Sequence, residues 1–201
     1  MAIGFKDPYY DEELGELRNL FGAKSAEEFR ELEPQMVFAN ELELESAGIS
    51  RTNDLKEVQA IHKQLFKDVY DWAGKVRTVD LRKNEDGAEY FLIVSKIRSA
   101  ADFVFGELAK ENHLQGLSQK DFTERLAYYY DQLNYIHPFR EGNGRTQRVF
   151  WNRVAQDASY EIDWDKIVGD ENDSASRLAA ETLDLSGLEK MFARIVREYK
   201  M

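Results

Sequence analysis

Proline occurs at only three positions in this chain of 201 residues, Pro8, Pro34 and Pro138, and this scarcity constrains the fold strongly. A proline inside a helix removes one backbone hydrogen bond and clashes with the preceding turn. Long stretches of the chain lack that obstacle and are free to be helical. We therefore expect a mainly α-helical fold in which Pro138 fixes one helix boundary.

The first predicted helix covers residues 25–46, after a polar N-terminal segment. Ser25 is placed to cap its start, and Glu28 completes the pattern of a capping box. Pro34 lies inside this stretch, so we expect the helix to bend or restart there.

A clearer helical pattern covers residues 53–74, where apolar residues recur at steps of three and four. Asn53 or Asp54 can cap its start, and Gly74 can end it. Four further helical patterns of apolar residues follow, and Ser118 can cap the start of the second of these predicted helices. Their inward residues are Ile97, Ala101, Val104 and Leu108; Phe122, Leu126, Tyr129, Leu133 and Ile136; Val149, Phe150 and Val154; and Leu188, Phe192, Ile195 and Tyr199.

One β-hairpin interrupts this helical pattern. Two β-prone runs within residues 75–94 flank the turn-rich sequence KNEDG, which is typical of a hairpin. No internal repeat or low-complexity linker divides the chain. We expect one domain over residues 1–201, with a core of about 50–165 between N-terminal and C-terminal flanking helices.

The charge balance disfavours several classes of partner. The chain has 38 acidic and 27 basic side chains and a net charge of −11, so direct binding to nucleic acid or to an anionic membrane is not expected. The absence of cysteine excludes disulfides and thiolate metal sites. No apolar run approaches a membrane span, and the N-terminus lacks the layout of a secretion signal. These features favour a cytoplasmic protein.

The sequence HPFREGNGRTQR, residues 137–148, collects the groups of a phosphate-transfer site between two predicted helices. Gly142 and Gly144 permit backbone conformations that a side chain would forbid, so successive N–H groups can face an anion. Asn143 adds an amide donor. Arg145 and Arg148 are neighbours on one helical face and can both bind phosphate oxygens. The stretch predicts a binding site for more than one phosphate.

The acid and the histidine of this stretch suggest its chemistry. Glu141 would repel phosphate unless a cation lay between them, and Mg²⁺ commonly binds between a carboxylate and substrate phosphates. His137 can reach the same site and take a proton from a hydroxyl that attacks phosphorus. His62, in contrast, is expected to serve packing or a core hydrogen bond. Each feature alone has a plain structural explanation, but their unbroken order favours phosphate chemistry.

Residues 137–148 resemble the signature of the Fic family, HPFx[D/E]GNGRxxR, at every specified position. Residues 61–81 resemble the helix that leads into the flap hairpin of that family. The order of helices extends the likeness over about residues 8–200. The resemblance implies the Fic fold, a helical bundle with one β-hairpin flap.

The resemblance also implies an activity, the transfer of AMP from ATP to a Tyr, Ser or Thr hydroxyl of a target protein. His137 would be the general base, and Glu141 would hold Mg²⁺ between the α- and β-phosphates. Asn143 would touch the α-phosphate within the glycine-flanked nest. Arg145 would hold the β-phosphate region and Arg148 the γ-phosphate.

The flap would pair with an extended stretch of the target protein, a form of β-strand addition. Phe91, six residues before Ile97, matches the aromatic residue that fixes the flap, although it also fits an ordinary buried strand residue. Lys83 and Asn84 would lie near the nucleotide.

Regulation is inferred from a missing motif. Many Fic proteins carry an inhibitory [S/T]xxxE[G/N] sequence, whereas no Ser or Thr of this chain has a Glu four residues later. The chain therefore resembles short Fic toxins controlled by a separate small antitoxin protein, whose glutamate would lie against Arg148. Toxins of this type modify type II topoisomerase subunits, so DNA gyrase and topoisomerase IV are the implied targets.

Three alternatives remain open. The same motif serves transfer of UMP or phosphocholine, and in Doc-like relatives it transfers phosphate, with lysine in place of Gly144. A noncatalytic binding module is a second alternative, although the intact His137 and Glu141 speak against it. The third is the detached Fic domain of a longer secreted effector that modifies host proteins.

Overall fold

In the computed structural model of this protein, the described residues are 7–82 and 91–199, and most of them are helical. The predicted mainly α-helical fold class is confirmed. Over these residues the helices are α1 (Ala26–Leu42), α2 (Leu55–Phe66), α3 (Ile97–Lys110), α4 (Gln119–Ile136), α5 (Asn143–Asp157), α6 (Glu171–Thr182) and α7 (Ser186–Ile195). None of these helices is both long enough and apolar enough to cross a membrane.

Two small antiparallel ladders accompany the helices. β1 (Tyr10–Asp11) pairs with β2 (Glu16–Leu17), and β3 (Tyr160–Ile162) pairs with β4 (Val196–Glu198). The sequence predicts neither ladder, because strands of two or three residues are too short for an alternating pattern.

The start of α1 follows the prediction in part. Ser25 caps the helix, since its side chain accepts a hydrogen bond from the Glu28 N–H at 3.1 Å. The Glu28 carboxylate accepts from the Lys24 N–H at 2.6 Å, not from Ser25, so the capping box closes one residue earlier. Of the predicted bend or restart at Pro34, the restart is wrong, because α1 continues through this residue. Pro34 lies on the exposed side, where water can bind the carbonyl that loses its partner.

Helix α2 begins where the sequence predicts and ends earlier. Asp54 caps its start by accepting from the N–H groups of the next turn. The helix stops at Phe66, and the chain continues through turns to Gly74. Gly74 has a φ of +76°, and a Cβ there would lie 2.8 Å from the Lys63 Cβ. The predicted end of the helix at Gly74 is therefore wrong, and Gly74 instead lets the chain return against α2.

The C-terminal end also departs from the prediction. α7 stops at Ile195, and Val196 then pairs with Ile162 across the β3–β4 ladder. Tyr199 lies outside the helix, is 49% exposed and donates its N–H to the Ser159 carbonyl. Its predicted place on the apolar face of α7 is wrong, because strand pairing satisfies these backbone groups in place of a further helical turn.

Helix α6 has no clear apolar stripe, and the sequence does not predict it. Its buried residues are small, namely Ala175, Ser176 and Ala179. The helix packs against α4 and α7 and supplies one wall of the site described below.

The core lies around α4 and α5, the two helices that the 137–148 segment joins. α4 packs against α3, α5, α6 and α7, while α2 packs against α1 and α5. Phe150 and Trp151 of α5 are fully buried, as is Phe139 in the connecting segment. Phe139 therefore anchors this segment in the core.

The turn of the predicted hairpin, residues 83–90 with Lys83 and Asn84, lies outside the described residues. On its described flanks, the Phe91 N–H donates to the Leu81 carbonyl at 3.1 Å. The next residue, Leu92, donates its N–H to the Tyr135 carbonyl at the end of α4, also at 3.1 Å. At its base, the predicted flap hairpin of residues 75–94 (the flap segment) is therefore hydrogen-bonded to α4, the helix that leads into the motif.

A buried ion pair joins the start of α2 to α5. The Glu57 carboxylate is fully buried and accepts from the Arg153 Nε at 2.6 Å and from the Asn53 N–H at 2.7 Å. Arg153 also donates to the Ile49 carbonyl at 2.8 Å. Breaking a buried pair costs more than forming it gains, because one charge is left unpaired.

We expect Glu57→Ala to lower the free energy of unfolding by about 3 kcal/mol, since it leaves Arg153 without its buried partner. Urea denaturation measures this change. The matched control is Glu43→Ala, which breaks an exposed pair with Lys67 and should lower the free energy of unfolding far less, because solvent screens that pair. Equal losses in the two variants would contradict the importance of the buried pair.

Candidate active site

A cavity of about 510 Å³ opens where α4 ends and α5 begins. Seven of the predicted site residues line it: Phe91, His137, Glu141, Gly142, Gly144, Arg145 and Arg148. The remaining lining residues come from α4, α5 and α6: Tyr130, Asn134, Gln147, Asn172, Asp173, Ser176 and Arg177. The motif side chains therefore converge on one space, with α6 forming a polar wall that sequence reasoning missed.

Two residues with positive φ shape the loop between the helices. His137 ends α4 with a φ of +45°, and its N–H donates to the Leu133 carbonyl at 3.1 Å. Gly142 begins α5 with a φ of +79°, and a Cβ there would lie 2.3 Å from the Phe66 ring. Both the backbone conformation and the close approach of Phe66 require glycine at this position.

The two glycines of the motif differ. Gly144 lies in the first turn of α5, and a Cβ there would meet no atom within 4 Å. The prediction that a forbidden backbone conformation requires both glycines is wrong for Gly144, since a helix accepts any L-residue at that position. The protein's own atoms do not demand glycine there, and the position opens onto the cavity.

Asn143 faces the loop and does not line the cavity. Its Oδ1 accepts from the Phe139 N–H at 2.9 Å, and its Nδ2 donates to the Phe139 carbonyl at 2.8 Å. The side chain is buried, and these two hydrogen bonds hold the reversal of the chain together. Its contact with an α-phosphate stays a prediction.

His62 of α2 forms hydrogen bonds that hold the loop between α4 and α5. Its Nε2 donates to the Glu141 carbonyl at 3.0 Å, and its Nδ1 accepts from the Gly74 N–H at 2.8 Å. Its ring lies 3.9 Å from the ring of Phe139, centroid to centroid. The prediction of a core hydrogen bond is confirmed. Burial lowers the pKa of His62 to about 3, so the ring is neutral and both bonds persist at neutral pH.

Arg77 connects the flap segment to the loop. Its side chain is buried, and it donates to the His137 carbonyl at 2.8 Å, to the Val79 carbonyl at 2.7 Å and to the Leu92 carbonyl. Its own N–H donates to the Pro138 carbonyl at 2.9 Å. Sequence reasoning missed this residue, although a lone arginine inside the β-prone run VRTVDL is a signal that could have found it.

The hydrogen bonds of His137 define its tautomer. Its Nδ1 lies 3.2 Å from the Asn134 carbonyl, which can only accept, so Nδ1 carries the proton in the neutral ring. The lone pair is then on Nε2, as a general base requires. The Phe91 ring stacks on the imidazole at 3.7 Å with an interplanar angle of 15°. Phe91 therefore contacts the predicted base directly.

The two motif arginines lie in different electrostatic surroundings. Arg145 pairs with Glu33 of α1 at 2.8 Å, lies 3.6 Å from Glu141 and packs over the Phe66 ring. Burial alone would lower the pKa of Arg145, but the Glu33 hydrogen bond and the nearby negative charges raise it above its ordinary value. Arg145 is therefore permanently charged and held in place.

Arg148 lies over the Trp164 ring at 5.3 Å. Over residues 7–82 and 91–199, no carboxylate forms an ion pair with it. Among the described residues, Arg145 is therefore already paired with a carboxylate of the protein, whereas Arg148 is not.

Glu141 is the residue that could hold a divalent cation. Its side chain is about half exposed, lines the cavity and accepts from the Gly142 N–H at 2.9 Å. Within the described part of the chain, no group of three His, Asp or Glu residues could bind a metal without other ligands. Glu141 thus fits a Mg²⁺ site only when the phosphate oxygens of a bound ligand complete the coordination of the ion.

Comparison with known proteins identifies the family. The family model described as the Fic/DOC family matches residues 52–155, and the chain belongs to this family. The prediction of family membership is confirmed. The matched region contains the motif, α2 and most of the cavity but excludes α1 and α6.

Relatives match well beyond this region. The protein adenylyltransferase VbhT of Bartonella schoenbuchensis is 42% identical over 173 residues, which are 86% of this chain and 36% of VbhT. A probable protein adenylyltransferase Fic of Salmonella typhimurium is 33% identical over 193 residues, 96% of this chain and 94% of that protein. The chain thus spans about a third of one relative and nearly all of the other.

A solved structure shares the fold. The N-terminal Fic domain of a VirB-translocated Bep effector from Bartonella quintana, with bound ADP, matches with a TM-score of 0.87 and 26% identity. The match covers 96% of this chain and 95% of that one.

The pKa of His62 predicts a pH dependence of stability. The unfolded histidine titrates near 6.5 and the folded one near 3, so the unfolded state binds more protons between these values. The contribution is full above pH 6.5 and falls toward pH 3, by up to about 1.4 kcal/mol per pH unit. His62→Gln keeps a donor and an acceptor but does not titrate, so the wild-type advantage should shrink from pH 7 to pH 4 in denaturation experiments. Parallel profiles for the two proteins would contradict this assignment.

Proposed function

We propose that this protein is a protein adenylyltransferase that moves AMP from ATP to a hydroxyl group of a target protein. The observation that carries this proposal is the convergence of His137, Glu141, Arg145 and Arg148 on the cavity at the start of α5. The names of the VbhT and Salmonella relatives and the ADP bound to the Bartonella quintana domain support it.

The phosphates would lie at the N-terminus of α5. The first N–H groups of a helix have no partner within it, and Gly142 has no side chain to cap them. These groups and the positive end of the helix attract anions. Arg145 would bind the β-phosphate region, and Arg148, which no described carboxylate neutralises, would bind the γ-phosphate.

The transfer needs a base at the target hydroxyl. In our proposal the hydroxyl oxygen attacks the α-phosphorus, Nε2 of His137 accepts its proton, and the bond to the pyrophosphate oxygen breaks. The arginines stabilise the charge that develops on pyrophosphate. Glu141 would hold Mg²⁺, which neutralises phosphate charge when bound.

The target protein would dock on the flap. Phe91 packs on His137 at the base of this segment, so a target strand paired beside it would bring a hydroxyl close to the base. Lys83 and Asn84, outside the described residues, remain predicted to lie near the nucleotide.

Control by a separate antitoxin is part of the proposal. Arg148 has no carboxylate partner among the described residues, and the chain lacks the inhibitory motif, so an antitoxin helix could supply the glutamate. We expect the reaction in the bacterial cytoplasm, with DNA gyrase and topoisomerase IV as the first targets to test. The secreted-effector alternative is supported by the Bartonella quintana domain, which belongs to a VirB-translocated protein.

The direct test is to incubate the protein with Mg²⁺, labelled ATP and either cell lysate or purified gyrase and topoisomerase IV subunits. Mass spectrometry of the modified protein should show a gain of AMP. His137→Ala should abolish transfer while ADP affinity stays within about twofold, because a proton acceptor contributes little to ground-state binding. His113→Ala, in the polar break after α3, is the control that should stay active. A gain of bare phosphate, or an active His137→Ala, would contradict the proposal.

The protein's own atoms do not require glycine at position 144. Gly144→Ala should raise the free energy of unfolding by about 0.5–1 kcal/mol, since alanine favours the helix. The methyl group projects into the cavity, so AMP transfer should fall by about tenfold or more. Gly106→Ala in α3 is matched, because a Cβ there also meets nothing within 4 Å, and it should stabilise without loss of activity. Full activity of Gly144→Ala would show that no ligand approaches this position.

A further inference from the structure

Helix α1 contributes a carboxylate to the site from outside the matched family region of residues 52–155. Glu33 is buried, and its two oxygens pair with both terminal nitrogens of Arg145, each at 2.8 Å. Oε2 accepts a hydrogen bond from Nη1, whereas Oε1 contacts Nη2 as an ion pair without forming a hydrogen bond, so one hydrogen bond and the opposite charge hold the guanidinium group. Glu33 is therefore not a surface charge.

The position of Glu33 is not explained by the packing of α1 alone. α1 is held on α2 by other contacts, since Asn40 donates to the Leu65 carbonyl at 3.1 Å and its own carbonyl accepts from Gln64 at 3.2 Å. Phe29 and Val37 supply buried apolar contacts on the same helix. A buried ion pair adds little to stability compared with apolar residues of similar size, so Glu33 requires another explanation.

The geometry around Arg145 supplies that explanation. The Phe66 ring lies under the guanidinium at 4.8 Å, and Glu33 holds the two terminal nitrogens from the α1 side. Glu141 lies 3.6 Å from one of these nitrogens, slightly beyond a hydrogen bond. Without Glu33, Arg145 would be free to move closer to Glu141 and donate a hydrogen bond to it inside the cavity.

We propose that Glu33 is a positioning residue, which orients Arg145 for the nucleotide phosphates and keeps it from closing on Glu141. This inference rests on the proposed function. A guanidinium has five N–H donors, and Glu33 accepts a hydrogen bond from Nη1 alone, which leaves donors for a phosphate. A donor that is already oriented loses less conformational freedom when the ligand binds. Glu141 meanwhile keeps its exposed oxygens for other ligands.

The experiment uses the full chain with Glu33→Gln, Arg145→Gln and the double variant. Glutamine keeps the size of Glu33 but removes the charge that holds Arg145. We expect Glu33→Gln to reduce kcat/KM for ATP on the order of 10- to 100-fold, because misplaced groups lose that much. Calorimetry should show weaker ADP binding as well. If Glu33 acts through Arg145, Glu33→Gln should change either quantity by less than about twofold in the Arg145→Gln background.

Two controls separate positioning from general damage. Glu31→Gln removes one exposed charge from the same helix and should leave kcat/KM and ADP affinity unchanged. Urea denaturation of each variant reports folding, and the double variant replaces the ion pair with two neutral amides, so it tests the coupling even if Glu33→Gln is less stable.

The outcomes are distinct. If the wild-type protein transfers AMP and Glu33→Gln is as active or more active, the inference is wrong and the proposed function stands. If the losses of the two single variants multiply in the double variant, Glu33 does not act through Arg145, and the inference is wrong. If the wild-type protein binds ADP but transfers no AMP, the proposed function fails, and the coupling in ADP affinity still decides the role of Glu33. If the wild type does not bind ADP, both are wrong.

Discussion

Gly142 lies so close to the Phe66 ring that a Cβ atom would come within 2.3 Å of it, and the site depends on this contact. Phe66 is the last residue of α2, so the contact fixes the start of α5 against the end of α2. The open N–H groups of α5, the direction of its dipole and the positions of its two arginines follow from that placement. Any side chain at 142 would force the two helices apart.

Buried polar side chains then fix the residues around this turn. His62 and Asn143 hydrogen-bond to the loop backbone, and Arg77 binds the loop and both flanks of the flap segment. Such groups are costly to bury unless each donor finds an acceptor, so they define one arrangement of the loop. These hydrogen bonds to the loop backbone thus help to position the predicted base His137. Its ring also contacts Phe91 and Asn134.

The site is a small region of positive charge in an acidic protein, and its charge is divided unequally. Arg145 lies between Glu33 and Glu141, whereas Arg148 faces the cavity without a described carboxylate partner. The net charge of −11 would repel a polyanion, which extends over a large part of the surface. A single nucleotide contacts only the residues that line the cavity. The arrangement therefore suits a discrete ligand with several phosphates, which agrees with the proposed function.

The sequence by itself determined the helical class, the cap residues Ser25 and Ser118 and the group of motif residues around the cavity, because these depend on local spacing and on neighbouring residues. Only the tertiary structure decided the place of Glu33 and the wall formed by α6, since contacts between residues far apart in the chain leave no local pattern. It also decided that Asn143 serves the loop and that Gly144 is not needed for the backbone, because a turn motif does not reveal which groups face inward. The helix ends at Phe66 and Ile195 were not predicted, because packing and strand pairing end these helices, and intrinsic helix propensity does not.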